Sequence, residues 1–465
     1  MDHKPAYNMR FIWLATLVSA MGGLLFGYDW VVIGGAKPFY EKFFGLTSPA
    51  LIGWAMSSAL VGCLVGSLLS GGLSDRFGRK KLLILSGFLF TVTGILTALS
   101  PNFSLFILNR VLGGVAIGLA SNLSPMYIAE ISPAEVRGKF VSLNQLTIVI
   151  GILAAQLVNW LIARPVPAGA TSADILASWN GQTGWRWMFG AEAVPAFLFF
   201  LLMFLIPESP RWLVKNGRGR EAERTLVKVG GQDFAGRAMS EIRASLAATD
   251  VRKTDFRSLL GPGMGKVLII GVILAVYQQW CGINVIFYYA EEIFSAAGYG
   301  VSDILFNIVI TGMVNLIFTL IAIRLVDRLG RKPLMMAGSA GLAVAFGLIG
   351  ASYAAHSRGL HVLVLVVVAM ALYALSLAPV TWVLLSEIFP NRIRGAAMSV
   401  STFSLWSACF VLTYTFPLLN KSLGPAGTFW IYAGISVLGF IFIRTRLTET
   451  KGKTLEQIER ELVRS

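Results

Sequence analysis

The chain holds few of the residues on which enzymes and metal proteins depend, with three cysteines and three histidines among its 465 residues. Cys63, Cys281 and Cys409 all fall inside apolar runs, where a cysteine serves as a small buried hydrophobic residue. One histidine is near the terminus and the other two flank a single loop, which is not the spacing of a zinc site. The sequence therefore predicts neither a disulfide nor a metal site.

Charged residues are also scarce, at 14% of the chain, whereas hydrophobic residues make up 55% and the mean hydropathy is +0.70. This is more apolar surface than one soluble core hides, so the composition predicts a protein with many membrane spans. Residues 261–266 resemble a phosphate-binding loop, but their spacing differs and no serine or threonine follows the lysine. We therefore expect no enzymatic activity, no ATP-driven pumping and no cofactor.

Acidic residues are fewer than basic ones, with 24 Asp and Glu against 39 Lys and Arg and a net charge of +15. The basic residues concentrate in alternate loops between apolar runs, which is the pattern that orients helices in a bilayer rather than one that binds nucleic acid. This asymmetry predicts an inner (plasma) membrane protein with both termini in the cytoplasm. It assigns Lys37 and Lys42 to the first external loop and residues 164–184 to a longer one.

Twelve apolar runs are each long enough to cross a bilayer, which takes about 20 residues. They lie near residues 10–36, 51–70, 82–100, 104–128, 140–163, 186–206, 266–290, 303–326, 334–354, 361–388, 396–418 and 427–444. One long polar segment divides them into six and six. The predicted domains are an N-terminal six-helix bundle at 1–206, cytoplasmic linker helices at 207–265, a C-terminal six-helix bundle at 266–444 and a cytoplasmic tail at 445–465.

Two charged loops repeat between the halves. The pattern Asp-Arg-x-Gly-Arg-Lys begins at Asp75 and again at Asp327, and the loop that begins at Glu130 is matched by the loop that begins at Glu387. A repeat of this length indicates a duplicated architecture. It predicts an all-α membrane protein of twelve transmembrane helices in two pseudo-symmetric halves, with a substrate site between the halves near the bilayer midplane.

Three charged residues lie inside predicted spans, namely Asp29, Arg110 and Glu192. A charge at the bilayer centre costs roughly 2.5 to 3.5 kcal/mol on insertion scales, so each needs a partner or a water-filled cavity. Glycine pairs beside Asp29 and Arg110 favour close packing of the first span on the fourth. An aspartate that alternately faces and leaves an arginine is a proton switch, and a permanent structural ion pair is the alternative. Glu192 either tunes the protonation of the pair or caps its own span.

Neutral polar side chains mark the candidate substrate site. Gln145, Gln156 and Asn159 share one helical face of the fifth span, and three amides surround Gly282 in the seventh. Amides both donate and accept without charge, and tryptophans stack on apolar ring faces, so a neutral sugar fits this set. For the tryptophans, packing or anchoring at the membrane interface is the alternative. The residues that this reasoning selects are Gln145, Gln278, Gln279, Asn284, Tyr288, Trp382 and Trp406.

These motifs together resemble the sugar porter branch of the major facilitator superfamily, and most closely its bacterial xylose–proton symporters. The resemblance runs from Gly27 to about Glu459 and rests on motifs that begin at Gly71, Arg110, Pro125, Pro207, Gln278, Asp327 and Trp382. It implies the major facilitator fold, sugar contacts by the amides and tryptophans selected above and by Asn315, and proton uptake by Asp29 paired with Arg110. Leu405 and Ile152 stand where those symporters have glutamine, so the preference for xylose is open.

The resulting functional expectation is a proton-coupled symporter that moves a neutral monosaccharide, a pentose or hexose, into the cell by alternating access. Its partners are the sugar, the proton and the lipid bilayer, and we expect a monomer. The alternatives are a proton-independent sugar facilitator and an inositol or polyol symporter.

The repeated charged loops predict an intracellular gate that favours one conformation. Each half supplies carboxylates and basic residues to it. Its predicted members are Asp75, Arg76, Arg79, Glu130, Arg137, Glu208, Arg211, Asp327, Arg331, Glu387, Arg394 and Glu449.

Overall fold

A computed structural model describes residues 7–167, 169–250, 264–357, 359–389, 394–453 and 457, without the side chains of 247–250, 327, 394 and 395. Every regular element in these ranges is a helix. The predictions for the side chains of Asp327 and Arg394 therefore lie outside the described residues.

The N-terminal part of the chain forms long helices joined by short turns. They are α1 (Met9–Phe44), α2 (Pro49–Phe77), α3 (Arg79–Ala98), α4 (Phe103–Ile131), α5 (Ala134–Ile162), α6 (Ser172–Ala177), a π-helix (Asn180–Gly184), α7 (Trp185–Gly190) and α8 (Ala193–Leu202). The polar segment that follows contains α9 (Pro210–Lys215) and α10 (Gly219–Asp250).

The C-terminal part repeats the pattern with more interruptions. Its helices are α11 (Met264–Trp280), α12 (Ile283–Tyr288), α13 (Ala290–Ala296), α14 (Val301–Leu329), α15 (Arg331–Ala354), α16 (Leu360–Leu375), α17 (Leu377–Ile388) and α18 (Arg394–Arg446).

Eleven helical segments among the described residues are long and apolar enough to cross a membrane. The last of them covers the eleventh and twelfth predicted spans, because α18 continues through a kink at Gly424, whose φ is +67°. The sixth span begins at Asn180 rather than near 186, since the π-helix continues into α7 and α8. The predicted first loop is also corrected: Lys37 and Lys42 both lie inside α1.

The linker helices α9 and α10 form a small apolar core of their own, as an amphipathic segment does. Trp212 and Leu213 of α9 are buried against Leu226 and Met239 of α10. A kink at Gly230 and Gly231, the latter with a φ of +80°, divides α10 into two helical parts.

Several spans are broken at glycine or polar positions. Gly282 separates α11 from α12 with a φ of +95°, which is a left-handed conformation that favours glycine. Tyr289 lies between α12 and α13 with non-helical φ and ψ of −123° and 29°. Ser376 interrupts the tenth span between α16 and α17. Such breaks free backbone polar groups from the helix ladder, which a membrane protein tolerates where the chain is buried in protein or lines a cavity.

The sequence predicts that α1 and α4 pack against each other through their glycine pairs, but two of these glycines face other helices. Gly118 of α4 faces α2 instead, because a Cβ there would contact the backbone carbonyl of Cys63. Gly23 of α1 faces α5, where a Cβ would lie 2.9 Å from the Asn144 amide oxygen.

Backbone contacts divide the chain into two compact units. The first unit comprises Met1–Trp30, Val61–Gly151 and Phe189–Lys253; the second comprises Val31–Leu60, Ile152–Met188 and Thr254–Ser465. The division into sequence halves at 206 and 265 stays a prediction.

Candidate functional site

A buried ion pair joins α1 to α4 in the first unit. Asp29 and Arg110 are 3% and 4% exposed. Arg110 Nη1 donates to the Asp29 carboxylate, and its Nη2 lies 3.3 Å from the Asp29 backbone oxygen. The guanidinium also lies 5.4 Å from the centre of the Phe189 ring, a cation–π contact. The two charges that the sequence singled out therefore meet.

Glycine makes room for this pair. A Cβ at Gly113, one turn along α4 from Arg110, would lie 3.2 Å from Asp29 Oδ2 and 3.2 Å from Thr93 Oγ1. Such contacts are tighter than most side chains accept, so the glycine sets how closely the aspartate approaches α4.

Glu192 adds a second carboxylate to this buried region. Its side chain is 3% exposed at the junction of α7 and α8, within electrostatic reach of Asp29 and Arg110. Its Oε1 has no hydrogen-bond partner within the described residues. Two carboxylates and one guanidinium sum to one negative charge when all are ionised. Because an uncompensated buried charge is costly, the arrangement favours one proton on one carboxylate.

A chain of buried amides forms in the second unit around the Gly282 break. Gln279 Nε2 donates to Gln278 Oε1 at 3.1 Å, and Asn284 Nδ2 donates to Gln279 Oε1 at 2.5 Å. Asn284 folds back onto Gln279 because the left-handed Gly282 turns the chain between them. All three side chains are at most 3% exposed.

The amide chain reaches the other broken span. Gln278 Nε2 lies 3.4 Å from the backbone oxygens of Leu377 and Ala378, directly after the break at Ser376. At the opposite end, the side-chain oxygen Oδ1 of Asn284 accepts no hydrogen bond from the described residues. A buried acceptor left open in this way suits a ligand hydroxyl or an ordered water.

The other predicted sugar-contacting residues differ in burial. Tyr288, Asn315 and Trp406 are buried in the second unit, and Trp382 is 36% exposed. Gln145 is half-buried in the first unit.

The distal end of the amide face on α5 packs against helices instead. Asn159 Nδ2 donates to the backbone oxygen of Val32 at 2.9 Å. A Cβ on Gly312 would overlap Gln156 Oε1, so this amide lies against α14.

The two repeated charged loops adopt matching geometry, each within its own unit. In the first, Arg79 Nη2 and Nε lie 3.0 Å from the two Glu130 carboxylate oxygens. Ser209 Oγ donates to the same carboxylate. Glu208 accepts from the backbone N–H groups of Arg79 and Lys80 at 3.1 Å.

The second loop repeats these contacts. Arg331 Nη2 lies 2.9 Å from Glu387 Oε1, and Thr450 Oγ1 donates to Glu387 Oε2 at 2.5 Å. Glu449 accepts from the backbone N–H groups of Arg331 at 3.1 Å and Lys332 at 2.9 Å. The Pro-Glu-Ser segment at 207–209 and the Thr-Glu-Thr segment at 448–450 therefore make equivalent contacts in the two halves.

The remaining predicted gate residues contribute less. Asp75 pairs with Lys215 at 2.9 Å, but both side chains are about half exposed, where ion pairs are weak. Arg211 donates to Ser245 Oγ at 3.2 Å, and Arg76 lies over the Phe77 ring. Arg137 is exposed.

Glu208 and Glu449, the two glutamates that accept from backbone N–H groups, differ in the direction of their pKa shifts. Burial raises the pKa of the Glu208 carboxyl, although backbone hydrogen bonds oppose the shift. Burial also acts to raise the pKa of Glu449, but four backbone donors outweigh it and leave that pKa below its ordinary value. Glu449 therefore holds its charge to lower pH than Glu208 does.

Glycine at position 330 is required by this geometry, so we expect Gly330→Ala to destabilise the protein. Its φ is +96°, and a Cβ would lie 2.8 Å from Glu449 Oε2. The strain costs roughly 1–3 kcal/mol and should lower the thermal unfolding midpoint in detergent, followed by tryptophan fluorescence. Gly347→Ala is the matched control, because open space surrounds that position in α15. Equal midpoints for Gly330→Ala and the unmodified protein would contradict this account of the loop.

Broken spans, a membrane-buried ion pair and a core of neutral amides define a polytopic membrane transport protein rather than an enzyme. The chain belongs to the "Sugar (and other) transporter" family, whose profile matches residues 15–462. The fold class predicted from the sequence, twelve spans of the major facilitator type, is thereby confirmed.

Named relatives make the likeness more specific. The D-xylose-proton symporter of Escherichia coli (strain K12) is 40% identical, with 97% of this chain and 96% of the relative covered. The arabinose-proton symporter of Bacillus subtilis (strain 168) is also 40% identical, over 98% of this chain and 96% of the relative. The inward open conformation of the xylose transporter XylE from E. coli matches with a TM-score of 0.84 at 38% identity, covering 97% of this chain and 100% of that one.

Proposed function

We propose that this protein is a proton-coupled sugar symporter that carries a neutral monosaccharide into the cell by alternating access. The observation that carries the proposal is the buried Asp29–Arg110 ion pair, with the second buried carboxylate, that of Glu192, within electrostatic reach of both. Both symporters named above are proton symporters by name. Their shared sugar class, pentoses, is the first to test here.

Asp29 carries the proton in this scheme. While Arg110 donates to it, the aspartate stays ionised, because an adjacent cation favours the charged form. When the pair separates, the buried carboxylate takes up a proton to avoid an isolated charge. Glu192 stays close to both partners and sets which carboxylate holds the proton.

The sugar occupies the amide core. Gln278, Gln279 and Asn284 offer donors and acceptors without charge, and Asn284 Oδ1 is an open buried acceptor for a hydroxyl. Trp382 and Trp406 supply apolar faces for the ring, and Gln145, Tyr288 and Asn315 complete the proposed contacts. Leu405 and Ile152 are apolar, so fewer hydroxyls are held than where both positions are amides.

The proposed location is the inner (plasma) membrane. Both termini then face the cytoplasm, an orientation that follows from the loop charges. The two repeated loops, built on Arg79 with Glu130 and on Arg331 with Glu387, then lie at the cytoplasmic face. We assign them the gate role and take the transporter to act as a monomer.

The test is uptake into proteoliposomes with a panel of radiolabelled pentoses, hexoses and inositols, with and without an imposed inward proton gradient. We expect at least one pentose or hexose to accumulate above its external concentration, and a protonophore to abolish that accumulation. Equilibration without accumulation would identify a facilitator, and uptake of inositols alone a polyol symporter. Either result overturns the proposal as stated.

A further inference from the structure

A second charge cluster, centred on a buried lysine, occurs in the other unit, where α1 ends. Lys37 is 2% exposed, and its Nζ lies 3.0 Å from Glu41, 2.9 Å from Glu291 and 2.6 Å from Glu292. Glu41 is one helical turn further along α1, whereas the other two carboxylates lie in the first turn of α13. The cluster therefore ties the end of one helix to the start of another.

Local packing brings these two helices together. A Cβ on Gly34 would lie 2.6 Å from the Phe287 backbone oxygen, so the α1 backbone approaches α12 at a position where a side chain would clash. Lys37 follows three residues later. Tyr289 fixes the break before α13, because its hydroxyl donates to the Thr413 backbone oxygen at 2.6 Å and its ring lies 4.4 Å from that of Phe416.

The charges in this cluster do not balance. Three carboxylates face one ammonium, and Lys42 of α1 is a second cation within electrostatic reach among the described residues. Tyr40 and Tyr289 also face it, but their hydroxyls contact Met56 Sδ and the Thr413 oxygen. With all groups ionised the net charge is −1, and one proton on a carboxylate makes the set neutral.

We propose that Lys37, Glu41, Glu291 and Glu292 form a second proton-binding site, which fastens α1 to α13 when it holds its proton. The site is separate from the Asp29 pair, since Lys37 follows Asp29 by eight residues in α1 and the two residues belong to different compact units. This inference rests on the proposed function in taking the chain to change conformation during transport. It adds a proton-dependent fastening of the end of α1 that the symport mechanism does not include.

The electrostatic surroundings indicate that Glu292 is the carboxylate that holds the proton. Glu292 lies in α13, beyond the span Met264–Tyr288. Burial raises the pKa of Glu292 from 4.5 to about 8. The charge of Lys37 opposes this shift, whereas the charges of Glu291 and Glu41 act in the same direction as burial. When α13 moves away from Lys37 and its neighbours, the carboxyl returns toward its ordinary pKa. The fastened form therefore binds more protons between these two values, and lowering the pH within that window favours it by about tenfold per pH unit at most.

The experiment measures the distance between spin labels at Thr47→Cys and Ser295→Cys, both exposed, across pH 5 to 9 without sugar. The native cysteines are buried and are replaced by serine or alanine. We expect one short distance at pH 5 and a growing long-distance population as the pH rises, with a plateau above about 8. Glu292→Gln should remove this dependence, and Asp303→Asn, an exposed carboxylate on α14, should leave it unchanged.

The result that overturns the inference is a wild-type pH response in Glu292→Gln, or no response in the unmodified protein. Lys37→Met should favour the long distance at every pH, because it leaves three carboxylates without their central cation. Glu292→Gln carries the test if Lys37→Met does not fold.

The same measurement in an Asp29→Asn background separates the two proposals. If the response disappears there, it belongs to Asp29 and the second site is refuted while symport stands. If it persists there and follows Glu292, the second site stands even where proteoliposomes show no proton-coupled transport.

Discussion

Asp29→Asn is expected to abolish sugar accumulation while leaving sugar exchange intact. Asparagine has nearly the same size and still accepts a hydrogen bond from Arg110, so the contact between α1 and α4 is kept. It binds no proton, however, so the transport cycle loses its proton carrier. A membrane potential contributes about 2.3 kcal/mol per charge per 100 mV, which corresponds to roughly fiftyfold accumulation for one proton.

Two assays on the same proteoliposomes check this. Accumulation under an imposed proton gradient should fall to the external concentration, and counterflow without a gradient should continue within a few-fold of the unmodified rate. Glu241→Gln also replaces a carboxylate by an amide, but at an exposed site in α10. This variant should accumulate sugar as the unmodified protein does. Sugar-driven proton uptake that survives in Asp29→Asn would show that another group carries the proton.

Glu192→Gln separates the two roles that the sequence left open for this residue. If Glu192 shares the proton with Asp29, removing it leaves Asp29 and Arg110 as a balanced pair, and the optimum pH of transport should move. A residue that only caps its span would change stability without moving the optimum.

The spans were predictable because length and apolar character alone decide whether a helix crosses a bilayer. The meeting of Asp29 with Arg110 was also predictable, since two lone charges in apolar spans need partners. Which helix faces meet was not predictable from small-residue patterns. Gly118 packs on α2 rather than on α1, because a stripe of small residues fits any close neighbour.

Sequence reasoning missed the Lys37 cluster for a physical reason. Lysines after an apolar run are typical of the end of a span, so the sequence alone assigns Lys37 and Lys42 to a loop. Glu291 and Glu292, which pair with Lys37, are about 250 residues away in sequence and become neighbours only because α13 begins after the Tyr289 break. The signal that was present is Gly34, which permits close approach of another backbone.

Asn284→Ala is expected to weaken sugar binding by about 10- to 100-fold, the largest effect of any change in the amide core. The substitution removes the open acceptor Oδ1 and also the donor to Gln279 Oε1. One direct contact is worth roughly 0.5 to 1.5 kcal/mol net, and the stranded Gln279 acceptor adds about 1 to 3 kcal/mol when no water replaces the donor. The unpaired Gln279 acceptor also destabilises the protein without sugar, and that part does not change the affinity. The expected loss in affinity is therefore smaller than the sum of the two contributions.

Equilibrium binding to the purified protein measures this directly, through the quenching of tryptophan fluorescence by the sugar that the uptake panel identifies. Gln232→Ala, an exposed amide in α10, is the control and should bind as the unmodified protein does. Because Asn284 lies in the second unit and Asp29 in the first, Asn284→Ala should still move protons and sugar in the ratio of the unmodified protein at saturating sugar. Unchanged affinity in Asn284→Ala would place the sugar outside the amide core, whereas weakened affinity with lost coupling would mean that the amides also act on the proton step.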